Sequence, residues 1–153
     1  RSGRAAGQVL YVSGRVVNTR GEPVADAVIE IWQANAAGRY AHPGDDSKAP
    51  LDADFQGFAR LRAGADGSYR FKTIKPGAYS GRTRHIHFDV KGRNTRLTTQ
   101  MYFEGEPLND SDGLLKRRSP ASRATLISRN VAPSGKQERD ALVVSWDIVL
   151  AAG

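Results

Sequence analysis

The sequence predicts an all-β fold, an antiparallel β-sandwich of about 7–8 strands with long loops and at most one short helix. Two observations favour this class. Short segments in which apolar and polar residues alternate recur along the chain, and Gly, Pro, Asn and Asp separate them. Helical periodicity is scarce between these segments. Because the chain has 153 residues, we expect one domain over 1–153, with 1–7 as a disordered tail.

The predicted elements follow one another with clear turn signals. Asp66-Gly67 is a hairpin signal between two strands. A short helix is expected near 121–127, within a loop-rich stretch at 104–139, and a long polar loop covers 35–55. Loops of such length in a compact domain are usually functional or disordered, and we interpret these two as active-site loops. The predicted strands are 8–17, 27–33, 58–62, 68–74, 84–90, 96–103 and 141–150.

Composition excludes several kinds of chemistry and partner. The chain has no cysteine, which removes disulfides, zinc–thiolate sites, iron–sulfur clusters and a cysteine nucleophile. No apolar run approaches the roughly 20 residues of a spanning helix, so no membrane partner is expected. The net charge is +7, but the densest basic run, 116–118, contains no aromatic residue. Nucleic acid is therefore not expected as a partner.

The first residue is Arg1 and not Met. We therefore expect a processed product, from which an export signal has been removed. Together with the absence of cysteine, this slightly favours a secreted or periplasmic protein, and a cytoplasmic protein is the alternative.

The segment most informative about chemistry is 79–90, which contains His85 and His87. Side chains alternate along a strand, so both imidazoles project from one face while apolar residues project from the other. Neighbours on one face lie some 6–7 Å apart, which allows both imidazoles to bind one metal ion. A His-x-His pair alone is a modest signal, because two hydrogen-bonded histidines give the same pattern.

Two tyrosines add to this signal. Tyr40 and Tyr79 both lie beside turn residues, and each taken alone would more often be a packing tyrosine with a satisfied hydroxyl. Together with His85 and His87 they offer two imidazoles and two phenolates. Phenolate oxygen suits a hard ion such as Fe(III), and a coordinated metal favours loss of a phenol proton that otherwise leaves near pKa ~10.

Several motifs occur in a fixed order between residues 14 and 115. They are IWQANAAGRY at 31–40, TIKPGAY at 73–79, RTRHIHF at 82–88, QMYFEG at 100–105 and DS at 110–111. In this order the motifs strongly resemble those of the intradiol ring-cleavage dioxygenases. Among these enzymes the sequence most resembles the iron-bearing subunit of protocatechuate 3,4-dioxygenases.

The resemblance implies a mononuclear non-haem Fe(III) cofactor that opens catechol-type rings with O2 to cis,cis-muconic acid type products. Tyr79 would leave the iron when the small-molecule catechol binds and would then take a substrate proton. Arg82 would stabilise charge on the ring, with Gln100 beside it. The four protein ligands, completed by a water or hydroxide, would be Tyr40, Tyr79, His85 and His87.

The sequence also departs from the family pattern. Ser80-Gly81 stands where the protocatechuate enzymes carry a longer insert with a Trp, which predicts a more open pocket. We expect Gly81, Arg82 and Leu114 to contact the substrate. The N-terminal helical region with which catechol 1,2-dioxygenases dimerise does not occur in this sequence, so a monomer or small homo-oligomer is expected.

Two other interpretations stay open at this point. The stretch 14–29 is also typical of non-catalytic β-sandwich binding modules, and the chain would be one if Tyr40 and Tyr79 were simply core residues. Alternatively, the His-x-His pair with His42 as a third ligand would form a copper or zinc site. Iron content and visible colour distinguish the three.

Overall fold

The fold consists of strands, one α-helix and one short 3₁₀ helix within residues 3–153, the part of the chain that the computed structural model describes. The prediction of a mostly β protein with one short helix is confirmed. The helix α1 spans Pro120–Leu126, and the 3₁₀ helix spans Pro107–Asp110. The strands are β1 (Val9–Asn18), β2 (Val28–Trp32), β3 (Phe58–Arg62), β4 (Ser68–Ile74), β5 (His85–Lys91), β6 (Arg96–Phe103), β7 (Ile127–Asn130), β8 (Leu142–Ser145) and β9 (Ile148–Leu150).

The strands form one mixed sheet in the order β3-β2-β5-β6-β7-β8-β1-β4, with β9 beside β1. Most neighbours are antiparallel, but β8 and β9 run parallel to β1, and β7 runs parallel to β6. The expectation of a purely antiparallel arrangement is therefore wrong. Parallel neighbours need a long crossover connection, and the loop-rich stretch between β6 and β7 supplies one.

One face of β5 belongs to the core. Its side chains Ile86, Phe88 and Val90 are completely buried, and burying each contributes roughly 1.5–3 kcal/mol. The Phe88 ring packs edge-on against Trp146, with 4.9 Å between centroids, and against Tyr69, at 6.2 Å. Tyr69 lies on β4, at the far end of the strand order, so the sheet folds back over a shared core. This packing fixes β5 and leaves its opposite face for polar side chains.

The predicted strand 141–150 is two strands, interrupted at Trp146 and Asp147. Here the chain is hydrogen-bonded to β1. The backbone N–H of Trp146 donates to the Ser13 carbonyl oxygen, and the Asp147 side chain accepts the backbone N–H of Arg15, both at 2.9 Å. A Cβ atom on Gly14 would lie 1.8 Å from the Trp146 carbonyl oxygen. Only glycine fits at this crossing, after which the chain continues along β1 as β9.

Strand β7 lies in the predicted C-terminal loop region, and the sequence pattern does not predict it. Ile127 is its only apolar residue. The preceding helix begins with Pro120 at its first turn, and the Ser119 side chain accepts the Ser122 N–H. The helix predicted at 121–127 is therefore confirmed, one residue earlier in the chain, and the strand follows it directly.

The start of the described chain has neither helix nor strand over residues 3–7, although Ala6 donates its N–H to Asp52 at 2.8 Å. Residues 1 and 2 of the predicted tail, 1–7, lie outside the described residues. The tail and the single-domain organisation stay predictions. Within residues 3–153, none of the helical segments has the length and apolar character to cross a membrane.

Candidate metal centre

Four polar side chains meet at the beginning of β5. The Tyr40 hydroxyl lies 2.8 Å from the Tyr79 hydroxyl and 2.9 Å from His87 Nε2. The Tyr79 hydroxyl lies 3.0 Å from His85 Nε2, and the distance from Tyr40 to His85 Nε2 is 3.5 Å. The fold thus brings together all four side chains that the resemblance assigns as metal ligands.

The two histidines are oriented by contacts that turn Nε2 toward the two tyrosine hydroxyls. His85 is buried, and its Nδ1 lies 2.7 Å from the Thr83 carbonyl oxygen, which can only accept. Nδ1 therefore carries the proton, and Nε2 turns its lone pair to the centre. His87 is paired across the sheet with Trp32 on β2, and the two rings stack with 5.0 Å between centroids.

Tyr79 is placed by a tight turn that also places Arg82. The turn is closed by the Arg82 N–H, which is donated to the Tyr79 carbonyl oxygen at 2.7 Å. Between them, Ser80 and Gly81 both have positive φ, 37° and 75°. This is the pattern of a type I′ turn, which sets the flanking residues side by side as a cross-strand pair. The short Ser80-Gly81 link therefore puts Arg82 next to the centre.

Tyr40 comes from the beginning of the long loop after β2. The Asn35 side-chain oxygen accepts two backbone N–H groups from the turn before Tyr40, both at 3.0 Å. Gly38 in this turn has a φ of 83°, and a Cβ there would lie 2.4 Å from the Ala78 carbonyl oxygen. The Tyr40 N–H is donated to Asp45 at 2.8 Å. Glycine thus permits the close approach of the two tyrosine-bearing segments.

Burial governs the protonation of the centre. It lowers the pKa of His85, and it lowers the pKa of His87 to about 4, with the charge of His85 adding to the effect. Both imidazoles are therefore neutral near pH 7 and ready to donate a lone pair. Burial, with the Tyr79 hydroxyl as a second cause, raises the pKa of Tyr40 above its ordinary value. A cation bound here would reverse that preference and favour the phenolate.

The donor set fits one metal ion. Metal–oxygen and metal–nitrogen bonds of about 2.0–2.2 Å, set roughly 90–120° apart, separate neighbouring donor atoms by roughly 2.8–3.8 Å. The donor separations given above run from 2.8 to 3.5 Å and fall within this interval. Two phenol oxygens are hard ligands that suit a highly charged ion, and two imidazoles suit iron. The residues therefore fit a single ferric ion.

His42 is not part of this centre. Its Nδ1 accepts the Gly44 N–H at 2.9 Å, and its side chain is exposed. Among residues 3–153, no group of three or more His, Cys, Asp or Glu side chains could hold a metal ion. The copper or zinc interpretation with His42 as third ligand thus finds no support in the structure, and a metal held at this end of β5 needs tyrosine ligands.

Arg82 belongs to a second polar cluster beside the centre. Its Nε donates to Asp112 at 2.8 Å, and its Nη2 donates to Gln100 at 2.6 Å and to the Tyr102 hydroxyl at 3.2 Å. Burial would lower the pKa of Arg82, but the contact with Asp112 outweighs it and raises that pKa. Arg82 therefore keeps its charge, and the fold sets it beside Gln100 as the resemblance implies.

Comparison with known proteins agrees with this geometry. A sequence profile of a family described as "Dioxygenase" matches residues 1–152. The chain is 44% identical to the protocatechuate 3,4-dioxygenase beta chain of Burkholderia cepacia, over 98% of this chain and 67% of that protein. The chain belongs to the intradiol dioxygenase family.

Other intradiol dioxygenases are similar over less of their length. Hydroxyquinol 1,2-dioxygenase of Nocardioides simplex is 35% identical over 98% of this chain, but only 57% of that protein is covered. The chain thus spans between about half and two thirds of these curated relatives. Among solved structures, the dioxygenase domain of a carbohydrate-binding fusion from Streptomyces sp. SirexAA-E matches with a TM-score of 0.76 and 32% identity, covering 99% of this chain and 84% of that one.

The candidate metal centre opens into a cavity of about 760 Å³ on the side of Trp32 and His87, bordered by the loop 42–48. Leu114 lies in the loop after the 3₁₀ helix and is 44% exposed. Gly81 is exposed at the tip of its turn. Contact of Leu114 and Gly81 with substrate stays a prediction.

Three residues in or beside the candidate centre are not assigned a role by the sequence. Tyr102 shares a strand face with Gln100 on β6, so the alternation could have found it. Trp32 ends an alternating strand, but only the pairing of β2 with β5 shows that it covers His87. Asp112 lies in a loop without local periodicity, and no sequence signal connects it to a partner 30 residues away.

Proposed function

We propose that this chain is an intradiol ring-cleaving dioxygenase that opens catechol-type aromatic rings with O2 to cis,cis-muconic acid type products. The cofactor would be one non-haem Fe(III). The observation that supports this most is the convergence of two phenol oxygens and two imidazole nitrogens: the Tyr40 hydroxyl lies 2.8–3.5 Å from the other three donor atoms, and the Tyr79 hydroxyl lies 3.0 Å from His85 Nε2. The residues that would hold the ion are Tyr40, Tyr79, His85 and His87. When bound, Fe(III) supplies Lewis acidity that activates a chelated catechol toward O2.

Tyr79 is the residue to which we assign proton transfer. Its hydroxyl oxygen lies among the proposed ligand atoms, within hydrogen-bond reach of Tyr40 and His85, so a catechol held by the same ion would come within the reach that a general base requires. The turn that carries Tyr79 is exposed at Ser80 and Gly81, so the Tyr79 side chain has room to move away when a catechol hydroxyl takes its position. Tyr79, which would hold the ion as a phenolate, would then take a proton from the catechol and become a neutral phenol.

Arg82 is the residue to which we assign stabilisation of charge on the ring. Its Nε and Nη2 donate hydrogen bonds to other side chains, and within residues 3–153 Nη1 makes no hydrogen bond. This nitrogen is therefore available to a ligand bound beside the centre. A fixed and permanently charged donor stabilises developing negative charge without any change in its own protonation.

The substrate is a small aromatic molecule, and the names of the relatives indicate which rings to test. Those proteins are named for protocatechuate, catechol and hydroxyquinol, which are carboxylated, unsubstituted and hydroxylated rings. We expect the chain to act on at least one of the three. A monomer or small homo-oligomer is proposed as the assembly.

Iron content, colour and oxygen uptake test this function together. The purified protein should hold about one iron per chain, absorb visible light through tyrosinate–Fe(III) charge transfer, and consume O2 with at least one of the three catechols. Tyr79→Phe should shift the band and slow turnover, whereas Tyr11→Phe should do neither, because the Tyr11 hydroxyl contacts Glu138 on another part of the surface. A colourless protein that takes up no iron on reconstitution and no O2 would overturn the proposal in favour of a binding module.

A further inference from the structure

Asp112 is a completely buried carboxylate, and it makes four hydrogen bonds near the proposed active site. Its Oδ2 accepts from Arg82 Nε at 2.8 Å and from the Thr83 N–H at 2.9 Å. Its Oδ1 accepts the N–H groups of Leu114 and Leu115, at 3.0 and 3.2 Å. All four partners donate, so both oxygens must accept, which is what an ionised carboxylate offers.

The partners of Asp112 adjoin three different parts of the site. Arg82 lies beside the centre, in the turn that carries Tyr79. Thr83 uses its carbonyl oxygen to orient His85 at 2.7 Å. Leu114 is the residue expected to line the substrate pocket. One carboxylate thus connects the guanidinium, the backbone behind a ligand and the pocket loop.

The arginine side chain needs such a partner because it is long and flexible. Asp112 holds Nε on one side, and Gln100 and Tyr102 hold Nη2 on the other, so the guanidinium plane cannot rotate. A charged donor accelerates a reaction most when its orientation is fixed before the charge develops. Misplacing a positioning group by about 1 Å can cost on the order of 10²-fold in rate.

We propose that Asp112 is a positioning residue for ring cleavage, which acts by fixing the guanidinium of Arg82 toward the substrate. This inference rests on the proposed function. Asp112 is completely buried, and none of its side-chain partners is a proposed ligand atom, so its effect should pass through Arg82. The Leu114 loop is held by the second oxygen of the same carboxylate.

Asp112→Asn tests the proposal, because each Asp112 oxygen faces two donors and the amide NH2 must displace one such pair. We expect kcat to fall about 10–100-fold while iron content and the visible band stay those of the wild type. In an Arg82→Ala background the same substitution should lower kcat by less than about 3-fold, since residues that act as a unit are not additive. Two independent losses that multiply would overturn the proposal.

Asp89→Asn is the matched control. Asp89 is also a buried carboxylate, on β5, and it accepts from Arg96 Nε at 2.9 Å and from Thr98 at 3.1 Å. Removing it breaks an Asp–Arg pair between β5 and β6 without touching Arg82. We expect it to lower stability but to leave kcat within about 2-fold, the scatter expected of a distant site. An equal loss of kcat in both variants would mean that general loosening of the sheet explains the effect.

A readout without iron comes from the arginine Nε–H resonances of the metal-free protein. Arg82 Nε–H should be shifted and protected from exchange in the wild type and should lose both properties in Asp112→Asn. Asp89→Asn should do the same to Arg96 only. An unchanged Arg82 resonance in Asp112→Asn would overturn the contact on which the proposal stands.

The remaining outcomes separate this proposal from the proposed function. If the wild type neither binds iron nor consumes O2, both are overturned. If only Asp112→Asn loses iron, Asp112 supports His85 through Thr83, and only its role toward Arg82 is overturned. If Asp112→Asn does not fold, Arg82→Lys is the second variant. It keeps the charge beside Asp112 but not the oriented plane, so wild-type kcat in that variant would overturn the proposal.

Discussion

Two polar clusters lie side by side at the beginning of β5, and they are held together in opposite ways. In the ligand cluster the contacts are hydrogen bonds between neutral hydroxyls and imidazoles, whereas in the arginine network a buried carboxylate holds a guanidinium. The ligand cluster is Tyr40, Tyr79, His85 and His87, and the arginine network is Arg82, Gln100, Tyr102 and Asp112.

This difference in hydrogen bonding and charge determines in which cluster a metal ion can displace protons. Burial lowers the pKa of both histidines and raises the pKa of Tyr40, so at neutral pH the proton to be displaced is on the phenol. Iron binding should therefore release phenol protons and no imidazolium protons. In the arginine network, contact with Asp112 raises the pKa of Arg82, so the network keeps its protons and charge whether iron is present or not.

The largest expected effect is the loss of iron on Tyr40→Phe. Removing one hard oxygen ligand should reduce bound iron to less than about one tenth, abolish O2 uptake and lower proton release on iron addition by about one per chain. The metal-free variant should be destabilised by only about 1–3 kcal/mol, because the Tyr40 hydroxyl makes two close hydrogen bonds that usually contribute about 0.5–1.5 kcal/mol each. Iron analysis, proton-release titration and urea unfolding measure these effects. Full iron occupancy in the variant would contradict the assigned ligand set.

The next largest effect is that of Arg82→Ala, which removes the central donor of the other cluster. We expect kcat to fall about 10²–10³-fold, as for other preorganised donors, with iron content and the visible band retained. Steady-state oxygen uptake and iron analysis distinguish the two clusters directly. If the Arg82→Ala protein lost its iron, the clusters would not be independent and the comparison would fail.

The sequence could predict the parts of the site that have local periodicity. His85 and His87 alternate with the apolar Ile86 and Phe88, and this alternation alone assigns both imidazoles to one face of β5. The approach of Tyr40 to Tyr79 is different, because it joins positions 39 residues apart. Only the resemblance to a family predicts it, since no pattern within either loop encodes the contact.

What the sequence could not predict depends on long-range pairing. Trp146 and Asp147 interrupt an apparently continuous apolar strand because they attach to β1, more than a hundred residues earlier. Strand β7 has a single apolar residue and forms because β6 and β8 lie on either side of it. Asp112 also depends on long-range pairing. It is a single aspartate in a loop, and its proposed role comes from the hydrogen-bond donors that the fold brings around it.

Acid should affect the arginine network through its carboxylate. Burial raises the pKa of Asp112, but hydrogen bonds from Arg82 and from backbone N–H groups outweigh it, and the pKa lies below its ordinary value. The stabilisation is therefore present above the unfolded value of about 3.9 and is lost as the pH falls through the lower folded value. Metal-free wild type and Asp112→Asn should differ in unfolding free energy at pH 6 and converge toward pH 3, measured by urea denaturation. A difference independent of pH would contradict a charge-based network.

The smallest expected effect concerns the turn that joins the two clusters, since it carries Tyr79 of one and Arg82 of the other. Gly81 has positive φ, and a Cβ there would meet nothing within 4 Å, so Gly81→Ala should cost only the backbone strain of about 1 kcal/mol. Gly21 has the same two properties in the loop between β1 and β2, which makes Gly21→Ala the matched control.

Both glycine variants should lose similar stability in urea unfolding, because the strain is the same. Only Gly81→Ala should change turnover, since a distorted turn moves Tyr79 and Arg82 relative to each other. We expect its kcat/KM to fall roughly 3–10-fold, less than for loss of either side chain, because both groups remain present. Equal kcat/KM in the two variants would mean that the turn tolerates strain without moving its flanking side chains, and that the spacing of the two clusters is fixed by β5 and Asp112 instead.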